Sequence, residues 1–188
     1  MTATATLTDL YGLPLSTNST RAAATYRDGQ QATLAQAPGP GEQFSSAIAA
    51  DPEFALAHAA LALIQLRELR LPEARSSAAT AERLAARATR REQQHIAAVA
   101  DAVGGRGFQA IARIREHLRE FPHDALLLNH VTTSLLFAGQ QDRMVQVSEA
   151  AGPAYGEDDW FWLGIHAFAL QEVRRFAEAR RAALRSLD

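Results

Sequence analysis

The 188-residue sequence contains no cysteine and no lysine. The first absence excludes disulfides, thiolate zinc sites and thiol nucleophiles. The second excludes Schiff-base catalysis and a Walker-type phosphate loop, both of which need a lysine amine. All nineteen basic residues are therefore arginine, set against 21 acidic ones for a net charge of -2. This balance argues against a strongly basic nucleic-acid surface, and the pairs Arg90-Arg91, Arg174-Arg175 and Arg180-Arg181 read as solvated helix faces interleaved with glutamate. No apolar run approaches the roughly 20 residues that cross a bilayer. Residues 1–9, uncharged until Asp9, lack the basic start and apolar core of a signal peptide. A cytoplasmic protein with neither nucleic acid nor membrane as partner is expected, and the alanine-rich, arginine-only usage fits a high-GC bacterial coding sequence.

What is present is helical periodicity, repeated. From Asp51 the chain reads Asp-Pro-Glu-Phe-Ala-Leu-Ala-His, continues at helical spacing to Arg67, breaks near Arg70–Pro72, and resumes with Ala74, Ala78 and Ala81. Proline in a first turn costs no hydrogen bond. Ala62 and Ala74 lie twelve apart, where two antiparallel helices must approach closely; Ala98 with Ala110, and Ala167 with Ala179, repeat that interval. Phe44, Ala47 and Pro52 form the aromatic–alanine–proline close of such a unit. The pattern is that of the 34-residue tetratricopeptide hairpin. Helix pairs starting near residues 21, 55, 91, 125 and 160 predict an all-α solenoid of about five pairs, roughly ten helices, in a right-handed superhelix. Residues 1–18 are expected to form an extended arm packing Leu10–Leu15 onto the first pair, and 19–188 the repeats, in units near 21–54, 55–88, 91–124, 125–158 and 160–188. The last helix has no capping helix after it, so its apolar side is expected to meet more chain or another subunit.

Asp9-Leu-Tyr-Gly-Leu-Pro-Leu-Ser-Thr-Asn-Ser19 ahead of the first helix, Asp51 to His58, Arg90-Arg-Glu-Gln-Gln-His95 and Phe121-Pro-His-Asp-Ala125 occur in an order that resembles the tetratricopeptide repeat protein 38 family over nearly the whole chain. Members of that family are typically more than twice as long, so the resemblance implies an N-terminal half and brings no established activity with it.

In such a repeat the first helix of each pair lines the concave groove. Counting its positions gives a predicted groove of Leu63, Leu66, Arg67, His95, Asn129, Thr133, Leu136, Phe137, Phe161, Phe168 and Glu172, with Glu92 beside His95. Arg67 is the only base and Asn129 the only asparagine at the clamp positions, too few to hold a peptide carboxylate. An apolar, aromatic groove suits a polypeptide. The leading reading is a non-enzymatic interaction scaffold, its partner a protein or peptide, a second copy, or the C-terminal half of the same solenoid. The alternative is a small-molecule-binding or catalytic solenoid using His95, Glu92 and Asn129, with His95 as acid/base and Glu92 orienting it. His58 and His166 read as core groups, His117 and His123 as exposed. No spacing calls for a metal or cofactor.

Overall fold

The computed structural model describes residues 6–187; the start of the expected arm, residues 1–5, lies outside them. Among the described residues there are ten α-helices and no strand: α1 Thr20–Leu34, α2 Pro40–Ala50, α3 Ala55–Arg67, α4 Leu71–Leu84, α5 Arg90–Val103, α6 Gly107–Glu120, α7 Ala125–Phe137, α8 Gln141–Ala151, α9 Trp160–Glu172 and α10 Phe176–Arg185. They fall into two compact units, Met1–Arg113 and Ile114–Asp188, with the division inside α6.

Neighbouring helices pack in pairs: α1 with α2 and α3 with α4 in the first unit, α7 with α8 and α9 with α10 in the second. The alanines set twelve apart are all buried, Ala62 and Ala74 completely. Small side chains there let helix backbones approach. In α4 alanines are the whole buried stripe, Ala74, Ala78 and Ala81, on an otherwise exposed helix. By contrast α3 is buried nearly all round, with α2, α4 and α5 against it, as expected of a helix apolar on every side.

The first helix of every pair stops in the same way. Gln36, Leu69, Gly105, Gly139 and Arg174, each two residues past a helix end, have positive φ (53°, 60°, 77°, 68° and 63°). At each, the next residue donates its N–H back five positions, as Arg70 to Gln65, Arg106 to Asp101, Gln140 to Leu135 and Arg175 to Leu170. This is the Schellman closure, which satisfies carbonyls left over at a helix end. Glycine supplies the left-handed residue twice; at the other three sites a side chain bears the strain. Starts are as explicit: Ser19 accepts from Ala22 N–H, Thr89 and Glu92 form a complete capping box, and Asp159 accepts from Trp162 N–H.

One glycine is explained by packing. Gly29 sits buried in α1 with the Phe44 ring against it, and a Cβ there would lie 2.8 Å from Phe44 Cε1. Phe44 in turn contacts Tyr26 (centroids 5.4 Å), which contacts Phe54 (5.2 Å), making an aromatic core under the first helix pair.

Candidate functional site

The N-terminal arm does more than pack on the first pair: it bridges α1 and α5. Asp9 closes the arm on itself, its Oδ1 accepting from Tyr11 and Leu13 N–H (2.9 Å each) while its own N–H donates to Leu13 O. A carboxylate that caps nearby amides nucleates a tight turn, and Gly12 takes the positive φ the turn needs. Thr8 and Pro14 pair as a single antiparallel bridge. Side chains of two helices then read the arm's main chain. From α1, Arg27 Nη1 donates to Thr8 O (2.9 Å) and Gln30 Oε1 accepts from Leu10 N–H (2.9 Å). From α5, Arg91 Nη2 donates to Pro14 O (3.1 Å) and Glu92 Oε1 accepts from Ser16 N–H (3.0 Å). Asp9 and Arg91 form a buried ion pair at 3.7 Å, their side chains 1% and 4% exposed. Leu15 and Thr17 are buried too, Thr17 bonding Asp51.

This arrangement fixes Glu92, one of the predicted residues of the first unit. Glu92 and His95 are fully enclosed. Glu92 Oε2 accepts from Thr89 N–H (2.9 Å) and Oε1 from Ser16 N–H, so both carboxylate oxygens are already engaged by backbone. Neither residue faces solvent from which a substrate would arrive. Leu63 is buried and Leu66 half-buried, while Arg67 is exposed at a cleft of about 320 Å³ with Thr33, Pro40 and Ile64. Asp9, Gln30 and Arg91, central to this cluster, were not among the predicted residues.

The second unit keeps its face open. On α7, Asn129, Thr133, Leu136 and Phe137 stand at i, i+4, i+7 and i+8, one side of the helix. Asn129 and Leu136 are half-buried, Thr133 is exposed, and Phe137 is 85% exposed. Thr133 spends its hydroxyl proton on Asn129 O (3.0 Å). On α9, which touches α7, Phe168 is 41% exposed and Glu172 half-buried. Phe161 is not on this surface: it is buried, with Tyr155 at 6.1 Å and Trp160 at 6.0 Å.

The remaining histidines are held by the fold. His117, expected at the surface, is buried and bonded to Asp124 at 3.1 Å, and His123 is half-buried against Ala154 O. His58, half-buried, bonds Pro52 O (3.0 Å). His166 stacks on Trp162 (centroids 5.2 Å, planes 8° apart), and its Nδ1 lies 3.0 Å from Ser148 Oγ. Burial pushes the His166 pKa down, partly opposed by Glu149 and reinforced by Arg175. A serine beside a histidine invites comparison with a nucleophile and its base. Ser148, however, is completely buried and hydrogen-bonds Val145 O (2.9 Å), so its oxygen is closed to attack on any substrate. With Trp162 Nε1 donating to Ser148 O (2.8 Å), the cluster is a clamp between α8 and α9. Among the described residues, no three His, Asp or Glu side chains gather as a metal site, and no helix is long and apolar enough to cross a membrane.

No protein-family profile matches the sequence, and a search of curated proteins returns no match.

Proposed function

We propose that this protein is a cytoplasmic helical-repeat scaffold of tetratricopeptide type, akin to the N-terminal part of the tetratricopeptide repeat protein 38 family, that binds a polypeptide and carries out no chemistry of its own. The partner is a protein segment or a second copy of the chain. The observation that supports this best is the contrast between the units. In the first, Leu63 and His95 are buried and Glu92 is engaged by the chain's own arm, whereas Phe137 stands 85% exposed beside Asn129, Thr133 and Leu136, with Phe168 on the neighbouring helix. Large exposed aromatics flanked by polar groups are the usual anchors of a peptide interface. Asn129 makes no side-chain hydrogen bond among the described residues, which leaves its amide for a partner's main chain.

The test is mass in solution by light scattering, for the chain alone and co-expressed with the products of neighbouring genes. A stable complex or dimer that weakens about tenfold or more in Phe137→Ala/Phe168→Ala, with helicity unchanged, supports the reading. A complex indifferent to both substitutions removes the α7/α9 face from it. Phe137→Ala alone is expected to change stability by less than about 0.5 kcal/mol, because the side chain is exposed.

A further inference from the structure

We infer that the α1/α5 face of the first unit is a peptide-binding site in its own right: its resident occupant is the chain's own arm, and it accepts in trans an extended, turn-forming peptide headed by an aspartate. The inference does not depend on the α7/α9 reading, since every residue in it belongs to the first unit.

The chemistry of the contact carries the argument. Arg27, Gln30, Arg91 and Glu92 each bond a main-chain atom of the arm, at residues 8, 10, 14 and 16. Main-chain recognition of an extended segment by a fixed row of donors and acceptors is how peptide receptors gain affinity, with a few side-chain seats adding specificity. Here those seats include Asp9 against Arg91, the buried Leu15, and Thr17 bonded to Asp51. The arm also meets the other requirement of a good ligand, because its turn is closed by its own bonds, from Asp9 Oδ1 to two amides and from Leu15 N–H to Leu7 O. A segment that holds its bound shape loses little entropy on docking. It joins α1 through Ser16–Asn18, and Asn18 is exposed. Tethering gives the cis arm a high effective concentration, so it competes with any peptide in trans. The apparent affinity for a trans peptide is then the intrinsic one reduced by the fraction of time the seat is vacant.

The experiment uses the full chain carrying Leu15→Ala, which removes an apolar anchor from the arm and leaves Arg27, Gln30, Arg91 and Glu92 untouched. The probe is a labelled synthetic peptide of residues 6–18, followed by fluorescence anisotropy. Saturable binding to the variant is expected, with a Kd at least about tenfold below that for the unsubstituted chain, and is expected to be lost when the peptide carries Asp9→Asn. No saturable binding to a folded Leu15→Ala chain overturns the inference. Should that variant lose its helices, amide exchange in the unsubstituted chain decides instead. The Leu10 and Ser16 amides exchanging at least about tenfold faster than those of α5 mark a detachable ligand. Exchange in step with α5 makes the arm an integral layer of the unit and overturns the inference.

Discussion

Replacing Glu92 by alanine tests whether that carboxylate is a structural clamp or a reserve for chemistry. In the structure it accepts Thr89 N–H at 2.9 Å and Ser16 N–H at 3.0 Å, and it is wholly buried. The Thr89 cap to the residue-92 N–H survives, but losing the Glu92 half of the capping box leaves the Thr89 N–H without its acceptor, at about 1 kcal/mol. Leaving the Ser16 N–H without its acceptor costs about 1–3 kcal/mol, toward the lower end because Ser16 is half-buried and partly rehydrates. Removing the buried methylene stem adds about 1 kcal/mol. The total, about 3–4 kcal/mol, is a large share of the ordinary stability of a domain, and at about 2–4 °C per kcal/mol for a chain of this size it lowers Tm by roughly 10 °C. Thermal denaturation followed by circular dichroism reads this directly, and the Ser16 amide should lose its exchange protection first. Glu92→Gln keeps the shape but turns an amide NH2 toward one of the two backbone donors, so it should fall between the alanine variant and the unsubstituted chain. An alanine variant that melts at the unsubstituted temperature would refute the clamp and restore Glu92 as a group free to act on something else.

Three further outcomes follow from the same geometry. Gly29→Ala should destabilise by about 1 kcal/mol, because overpacking against Phe44 (2.8 Å) costs about 1–3 kcal/mol and the gain in helix propensity returns only about 1; a higher denaturation midpoint in urea would contradict the packing argument. Leu69→Gly should stabilise by about 1 kcal/mol, since Leu69 is 81% exposed with φ 60° and contributes strain without burial; a lower midpoint would show that its side chain has a contact worth more than the strain. His166 has its pKa held below the ordinary value chiefly by burial, so the unfolded chain binds the proton more readily. Its contribution to stability is therefore complete above the unfolded pKa of about 6.5 and is lost as pH falls through the depressed folded value. Melting curves between pH 7.5 and 5 should show a shallower acid decline for His166→Gln, and an identical decline in both chains would exclude this histidine as the source.

Most of the helical framework was legible because it is written locally. The helix starts rest on Ser19, Thr89 and Asp159, and the buried contacts on alanines twelve apart, features carried by residues close in sequence. The break near Arg70–Pro72 was legible from its proline, and glycine stands at the left-handed position only at 105 and 139. Gln36, Leu69 and Arg174 adopt the same left-handed conformation with no residue that announces it. The repetition of the closure imposes the turn there, and tertiary packing overrides the local preference. Gly29 is the converse case: glycine inside a helix ordinarily weakens it, and the Phe44 ring beside it is visible only in three dimensions.

The candidate site was less legible, for a physical reason that the two units separate cleanly. Counting positions along a repeat assumes that the inner side of each first helix is bare. For α7 that assumption holds at Thr133 and Phe137, which are exposed where the spacing put them. For α5 it fails, because Glu92 meets Ser16 across 76 positions and Arg91 meets Pro14 across 77. Pairing at that separation leaves no trace in periodicity. The one trace available lay in the arm itself: an aspartate heading a Gly-x-Pro turn has its carboxylate directed at its own amides, which makes the segment compact, and its apolar Leu13 and Leu15 are covered, Leu13 in part, while Leu10 stays exposed. Arg91 and Glu92, adjacent on α5 with opposite charges, are the matching half. Arg91 supplies the cation that Asp9 requires once buried, while Glu92 supplies the acceptor for the amide that follows Leu15. Neighbouring residues of opposite charge at a helix start ordinarily read as a solvated pair, and here each is inside because the arm presents it with the complementary group.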